Sequence, residues 1–166
     1  MDRINLARVD FRLMHGQVVT GWMKQVSADT ILIIDDELDK DKFLSKVFLM
    51  SAPPNTKVGI RSVESAVKGF KKNIFKSKNI LILFKSVESA LQAIKLGLPI
   101  TQLQIGGLGS GDNKVSVSDE ISVDRHEFKK LQEISEQNIN ITFHVTPTGR
   151  AIKFDVVKDK LREKLL

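Results

Sequence analysis

The sequence predicts an α/β protein with a doubly wound, mainly parallel twisted sheet of about six to seven strands and helices on both faces. Three observations support this fold class. Short apolar runs typical of strands recur along the chain, and most of them are followed by a segment with apolar residues at helical spacing. Gly, Pro, Asn and Asp residues separate the predicted strands from the predicted helices. At 166 residues the chain fits a single domain, residues 1–166, in which residues 150–166 are expected to form a C-terminal helical tail.

The strands are predicted from two kinds of apolar pattern. Ile4, Leu6 and Val9 lie in an alternating run, whereas residues 30–35 form a continuous apolar run that suits a strand buried on both faces. Because helical patterns lie between the strands, the sheet is expected to be mainly parallel. Further strands are expected at residues 57–61, 79–84, 101–105 and 140–145, and a strand or hairpin at residues 114–123.

Helical spacing of apolar residues follows most of these runs. Residues 17–23 are predicted to form an amphipathic helix, and residues 39–51 a second one that ends before Pro53, because the residue before a proline avoids the helical region. Identical pentapeptides begin at Ser62 and Ser86, where a serine N-cap and a glutamate in the first turn predict the start of a helix. The last two helices are expected to begin at Asp124 and to cover residues 155–166.

Composition and charge argue against several classes of function. The formal net charge is +6, but few aromatic residues accompany the densest basic cluster, residues 68–78, so nucleic acid is not an expected partner. The sequence contains no cysteine and therefore no disulfide or thiolate metal site. Consecutive acids at residues 35–37 rarely converge on one ion, so neither a metal nor another cofactor is expected. No apolar run approaches the roughly 20 residues that a membrane-spanning helix needs.

The chemistry is expected at the turn after the first strand. His15 lies between the first predicted strand and the first predicted helix, and in open α/β sheets such turns collect ligands at the carboxyl ends of the strands. The start of the helix favours an anion there, Arg12 adds a permanent cation, and Asp10 adds a carboxylate that can orient Arg12 or His15. A nucleophilic imidazole beside an anion site is what transient phosphorylation of a histidine requires.

The residues alone leave other interpretations open. A histidine on a turn is often a surface or capping residue. The same cation and helix-end amides would bind an anion in a nucleotide- or ligand-binding module, and a regulatory protein could retain the fold without transferring a group. His126 and His144 are both expected to be structural or solvated.

The segment from Arg8 to Val19, Arg-Val-Asp-Phe-Arg-Leu-Met-His-Gly-Gln-Val-Val, resembles the active-site loop of the enzyme IIB component of the mannose/fructose/sorbose family of the bacterial phosphotransferase system (PTS). The similarity extends over about residues 3–148, nearly the whole chain. The other matching stretches are Ile33–Glu37, Ala52–Pro54, Ser62–Ala66, Ile105–Gly107 and Val145–Pro147.

The resemblance implies a phosphotransferase. In that family the histidine of this loop takes a phosphoryl group from the IIA component and passes it to a sugar carried by the membrane components. The resemblance also suggests that the imidazole nitrogen of His15 nearer the backbone carries the phosphate. The implied catalytic residues are His15 as the nucleophile with Arg12 and Asp10, and the implied phosphate-binding residues are Arg8, Gly16, Gln17 and Ser62.

The same resemblance implies partners and a location. Phospho-IIA, the IIC and IID membrane components and a sugar are the expected partners. The chain is expected to be cytoplasmic and attached to the inner face of the membrane through IIC and IID. A homodimer is left open, since the C-terminal helix could pack on the core or on a second subunit, and the loop of residues 106–111 is a candidate neighbour of the active site.

Overall fold

The computed structural model describes residues 3–166, and its main sheet contains seven strands. Six strands are parallel, in the order β3-β2-β4-β1-β5-β8, and β9 pairs antiparallel with β8 at the edge; β6 and β7 form a separate antiparallel hairpin. The strands are β1 (Arg3–Asp10), β2 (Thr30–Ile34), β3 (Lys57–Arg61), β4 (Asn79–Phe84), β5 (Gln102–Gly107), β6 (Val115–Ser118), β7 (Ile121–Val123), β8 (Asn140–Phe143) and β9 (Ile152–Lys153). The predicted doubly wound, mainly parallel sheet is confirmed.

Five of the helices begin at a residue whose side chain caps the first turn. In each, the N-cap side chain accepts a hydrogen bond from a first-turn backbone amide, which contributes about 1 kcal/mol to stability per helix. These N-cap residues are Asp35, Asp41, Ser62, Ser86 and Asp124. The first helix differs from the rest, because it starts as a π-helical segment, Gln17–Trp22. The α-helices are α1 (Met23–Gln25), α2 (Asp36–Lys40), α3 (Lys42–Met50), α4 (Val63–Lys71), α5 (Val87–Lys95), α6 (Arg125–Ser135) and α7 (Phe154–Leu165).

Two apolar clusters cover the two faces of the sheet. On β2, Ile31 and Ile33 pack into the smaller cluster with Trp22 of the first helix, whereas Leu32 and Ile34 belong to the larger cluster with α4 to α7. Because both faces are covered, β2 is buried at every position, which explains its continuous apolar sequence. Each buried Leu or Ile side chain contributes roughly 1.5–3 kcal/mol.

The C-terminal segment packs on its own domain. Phe154 and Leu161 of α7 are 1% and 2% exposed, and both belong to the larger apolar cluster. The expected helical tail of residues 150–166 is corrected at its start, where Ile152–Lys153 forms the edge strand β9 instead. The helix is therefore part of the core.

The topology creates a crevice between β1 and β5. The chain leaves β1 toward β2 through the first helix on one face of the sheet, and it leaves β5 toward β8 through α6 on the other face. The two connections diverge above the carboxyl ends of neighbouring strands, where doubly wound sheets bind their ligands. Asp10 at the end of β1 pairs with Gly107 of β5 at this point.

Candidate functional site

The loop between β1 and the first helix is held in a tight turn. Leu13 donates its backbone N–H to the carbonyl oxygen of Asp10 at 2.9 Å, and Leu13 itself has a φ of 56°, a left-handed conformation that is costly for a branched residue. Its side chain is only 3% exposed and packs into the smaller apolar cluster, which offsets this strain. The buried Leu13 thereby anchors the loop that presents Arg12 and His15.

Asp10 is the centre of the polar cluster at this loop. Its side chain is fully buried, and its carboxylate lies 3.2 Å from Nη2 of Arg8, 3.1 Å from Nε of Arg12 and 2.9 Å from Nε2 of His15. Burial alone would raise the pKa of Asp10, but the hydrogen bonds from Arg12 and His15 and the charge of Arg8 together bring that pKa below its ordinary value. Asp10 is therefore ionised at neutral pH.

His15 is oriented by this carboxylate. An ionised carboxylate can only accept hydrogen bonds, so Nε2 of His15 is the ring nitrogen that carries the proton in the contact with Asp10. The lone pair of the neutral imidazole is then on Nδ1, the nitrogen nearer the backbone. The side chain of His15 is 20% exposed, so the ring is partly accessible.

Arg12 lies between a buried and an exposed carboxylate. Its Nε and Nη2 atoms donate to Asp10 at 3.1 and 3.3 Å, while its Nη1 atom lies 3.3 Å from the carboxylate of Glu120. The side chain is 29% exposed and its guanidinium carbon lies 5.5 Å from the ring centroid of Phe11. A fixed, partly exposed cation beside His15 can stabilise an anion there.

Arg8 has a different role from the predicted one. It is 0% exposed, and its guanidinium donates to the carboxylate of Asp10, to the side chain of Gln104 and to the carbonyl oxygens of His144 and Val145. Burial lowers the pKa of Arg8 to about 10, and the charge of Asp10 opposes this change, so Arg8 stays charged at neutral pH. The prediction that Arg8 binds the phosphoryl group directly is corrected, because the side chain is fully buried and both of its Nη atoms donate to groups inside the protein.

Two glycines allow these side chains to pack against β5. A Cβ atom built on Gly106 would overlap the guanidinium of Arg8, and one built on Gly107 would lie 2.8 Å from the Asp10 carboxylate and 3.2 Å from Nη2 of Arg12. Gly107 also accepts a hydrogen bond from the Phe11 backbone N–H at 3.1 Å. The first two residues of the glycine-rich segment therefore adjoin the cluster and leave the space that its charged groups occupy.

Trp22 closes the cluster on the side of the first helix. Its Nε1–H donates to the Val145 carbonyl oxygen at 2.9 Å, and the Arg8 guanidinium carbon lies 5.3 Å from the ring centroid. The edge of the ring meets His144 with 4.8 Å between centroids. His144, which was expected to be structural or solvated, packs against Trp22, whereas Trp22, Gln104 and Glu120 were not identified as site residues from the sequence.

Sequence signals exist for two of these three residues. Gln104 is a polar residue at an alternating strand position that proves 8% exposed, and Trp22 is the single tryptophan of the chain, two helical turns after His15. Glu120 has no such signal, because it lies 108 positions from Arg12 in a polar turn.

Gly16 and Gln17 stand at the start of the first helix, as predicted. Gly16 has helical backbone angles, φ −44° and ψ −53°, and the carbonyl oxygen of His15 accepts from Val19 N–H at 3.0 Å, so the helix begins directly at the imidazole. No side chain within 4 Å would obstruct a Cβ atom at Gly16, which leaves the backbone there open to approach.

Ser62 lies apart from the cluster. It follows β3, which is separated from β1 by β4 and β2, a distance of roughly 14 Å at the usual strand spacing. Its hydroxyl accepts the Ser65 backbone N–H at 3.1 Å as the N-cap of α4. The prediction that Ser62 binds phosphate is corrected, and its capping role, also predicted, is confirmed.

A hollow of about 560 Å³ adjoins Arg12 on its outer side. Its lining includes the apolar residues Leu13, Leu38 and Phe48 together with charged residues such as Asp35 and Lys40. Within residues 3–166, no group of three or more His, Cys, Asp or Glu side chains is placed to hold a metal ion. Across the same residues, none of the helices has the length and apolar character to cross a membrane.

The fold and this cluster together are those of an α/β phosphotransferase domain: a doubly wound sheet presents an imidazole beside a guanidinium at its ligand-binding crevice. The family model for the sorbose subfamily IIB component of the PTS matches residues 4–165, and the chain belongs to this family of PTS IIB components.

Individual relatives agree over nearly the whole length. The chain is 32% identical over 145 residues to the sorbose-specific EIIB component of Lacticaseibacillus casei, covering 87% of this chain and 88% of the relative. It is 27% identical over 154 residues to the fructose-specific EIIB component of Bacillus subtilis, covering 93% and 94%. Among solved structures, the IIBSor domain of the sorbose permease from Klebsiella pneumoniae superimposes with a TM-score of 0.87 at 28% identity, covering 97% of each chain. The manxB structure from Thermoanaerobacter tengcongensis gives 0.88 at 35% identity, covering 96% and 97%.

These matches confirm the family and the enzyme class. The chain is a phosphotransferase component of a PTS and acts in sugar uptake, and components of this type work with IIA, IIC and IID partners and a sugar. The relatives do not favour the alternative of a non-catalytic anion- or nucleotide-binding module or regulatory protein.

Proposed function

We propose that His15 carries the phosphoryl group, and that Nδ1 is the atom that bears it. The observation that supports this assignment is the contact of 2.9 Å between Nε2 of His15 and the buried carboxylate of Asp10. In that contact Nε2–H donates to the carboxylate, which keeps the proton on Nε2 and leaves the lone pair on Nδ1, as an attacking imidazole needs. Asp10 acts by orienting the ring rather than as a base.

The reaction has two transfers. In the first, the P–N bond to the histidine of phospho-IIA breaks as a bond to Nδ1 of His15 forms, so one imidazole replaces another and no net proton moves. In the second, a sugar oxygen bonds to phosphorus as the P–N bond at His15 breaks; the bonding pair returns to Nδ1, and the hydroxyl proton is released to solvent. Both steps depend mainly on positioning and on stabilising the charge of the phosphoryl oxygens.

The proposed phosphate-binding groups are Arg12 and the start of the first helix. Arg12 is charged, partly exposed and held by Asp10, so it can donate to the phosphoryl oxygens without a large rearrangement. The backbone amides of Gly16 and Gln17 supply further donors at the helix start. Arg8 contributes indirectly, because its buried charge holds the Asp10 carboxylate in place.

The proposed route of the phosphoryl group implies which proteins the chain binds and where in the cell it acts. We infer that phospho-IIA is the donor and that IIC and IID hold the chain at the inner face of the membrane, where the sugar accepts the group. The surface beside Arg12 suits such contacts, since Phe11 and Leu44 at the hollow are 42% and 40% exposed.

The central experiment follows the label from phosphoenolpyruvate. The general PTS proteins, a IIA partner and labelled phosphoenolpyruvate should place acid-labile label on the wild-type chain, and His15→Ala should abolish it. His126→Ala is the matched control, because His126 is exposed on α6. Label retained by His15→Ala, or lost only in the control, would remove His15 from the reaction.

A homodimer is proposed through the outer face of α3. Phe43, Val47 and Met50 form an apolar stripe at helical spacing and are 81%, 44% and 78% exposed. Sedimentation velocity should show a dimer for the wild type and a monomer for the double substitution Phe43→Ser with Met50→Ser. Val156→Ser, at an exposed apolar residue of α7, should leave the dimer intact. A wild-type monomer at all concentrations would rule the dimer out.

A further inference from the structure

Glu120 is an acidic residue that the proposed transfer at His15 does not use. It lies in the turn of the β6–β7 hairpin, and its carboxylate is 3.3 Å from Nη1 of Arg12. Its side chain is 48% exposed, whereas the other carboxylate on this guanidinium, that of Asp10, is fully buried. Arg12 is therefore shared between an inner and an outer anion.

The backbone of the fold holds Glu120 at this position. The Leu108 N–H donates to the Glu120 carbonyl oxygen at 3.1 Å, and the Ser122 N–H donates to the Leu108 carbonyl oxygen at 3.0 Å. Leu108 directly follows Gly107, whose backbone lies against Asp10 and Arg12. Two hydrogen bonds thus attach the hairpin turn to the strand end that borders the site.

A phosphoryl group on His15 would compete with Glu120 for Arg12. The Nε–Nη2 side of the guanidinium is held by the buried Asp10, so the Nη1 atom is the part whose partner can change. A phosphoryl group carries more negative charge than a carboxylate and accepts with three oxygens. The exposed Glu120 can turn into solvent when it loses this partner, but its charge still opposes a second anion nearby.

Building on the proposed role of His15, we propose that Glu120 is a positioning residue that sets the phosphoryl-transfer equilibrium of the site. In the unphosphorylated protein it pairs with Arg12 and stabilises that state. In the phosphorylated protein it is displaced by the phosphoryl group and repels it. Both effects disfavour phosphohistidine at His15 and so promote its onward transfer.

The test measures the position of equilibrium rather than activity. The phosphorylated chain is mixed with its IIA partner without phosphoenolpyruvate, and the two phosphohistidines are quantified by phosphorus NMR. Glu120→Gln should shift the distribution toward the phosphorylated chain by about two- to fivefold, the effect expected for removing one exposed ion pair. The exchange replaces one P–N bond with another, so the ratio reports the relative stability of the two phosphohistidines.

The chain offers a matched control beside Glu120. Asp119 is exposed in the same turn, and Asp119→Asn removes the same charge without touching Arg12, so its equilibrium should match the wild type. In an Arg12→Ala background, Glu120→Gln should shift the equilibrium less than in the wild type, because only the direct repulsion between Glu120 and the phosphoryl group remains. An equal shift for both turn variants, no shift for Glu120→Gln, or a shift of the same size with and without Arg12 would each overturn the proposal. A wild-type chain whose His15 takes no phosphoryl group would instead refute the proposed function itself.

Discussion

The carboxylate of Asp10 lies 2.9 Å from Nε2 of His15, and the same side chain is fully buried beside Arg8. The imidazole is thereby tied to an ion pair inside the domain. One buried charge, Arg8, positions Asp10, and Asp10 in turn positions both His15 and Arg12. The orientation of the proposed nucleophile is thus a property of the core.

Asp10→Asn should slow phosphorylation of His15 by about 10²-fold, the cost of a misplaced reacting group. The amide lacks the charge that holds the guanidinium of Arg12, and its NH₂ group can present a donor to Nε2 of His15, which would favour the wrong tautomer. Single-turnover transfer from phospho-IIA, followed in a quenched-flow instrument, measures the rate. Asp112→Asn, in an exposed loop, is the control, and an unchanged rate for Asp10→Asn would contradict the orienting role.

Arg12→Ala should reduce the same rate by about 10²–10³-fold, because one preorganised donor to the developing charge is lost. Arg12→Lys should recover part of the rate, since the ammonium keeps the charge but cannot match the paired contacts with Asp10. Arg150→Ala removes an exposed arginine outside the cluster and should have no effect. Equal rates for Arg12→Ala and Arg150→Ala would show that this cation has no part in transfer.

Gly106→Ala should destabilise the protein by about 3 kcal/mol or more, because the new methyl group would overlap the buried guanidinium of Arg8 and break its ion pair. Gly109→Ala is a matched control in the same segment, since no atom lies within 4 Å of a Cβ there. Urea unfolding followed by the fluorescence of Trp22, the only tryptophan, measures both. Similar unfolding midpoints for the two variants would contradict the close packing of Gly106 on Arg8.

The free energy of unfolding at acidic pH should depend on Asp10. Its pKa is lower in the folded protein than in the unfolded chain, so its contribution to stability is present above the unfolded value of about 3.9 and is lost as the pH falls through the lower folded value. The free energy of unfolding of the wild type should therefore fall more steeply below about pH 4 than that of Asp10→Asn. Urea titrations at a series of pH values measure the slope, and equal slopes would contradict the depressed pKa.

The sequence predicted the fold well because its signals are local. Continuous apolar runs such as that of β2 indicate strands covered on both sides, and the serines at positions 62 and 86 indicate helix starts through hydrogen bonds to their own first turns. Such features depend on residues a few positions apart. The loop motif around His15 was identified for the same reason, since its charged residues lie within eight positions of one another.

The roles of Arg8 and Ser62 could not be predicted in the same way. Arg8 and Arg12 are alike in the sequence, but the strand turns Arg8 inward beneath Trp22, where it becomes a buried partner of Asp10. Ser62 shares a sheet edge with His15, yet the strand order places two strands between them. Which side chains face inward, and which strands are neighbours, is decided by packing across the whole domain.

By itself the sequence determined the α/β class, the parallel sheet, the helix caps and the turn that bears His15, because periodicity, capping and turn chemistry act over short distances along the chain. Only the tertiary structure decided that Arg8 is buried, that Gly106 and Gly107 make room for the charges, and that Glu120 meets Arg12 across 108 positions. Those relationships arise from strand order and close packing, which join residues that no local pattern connects.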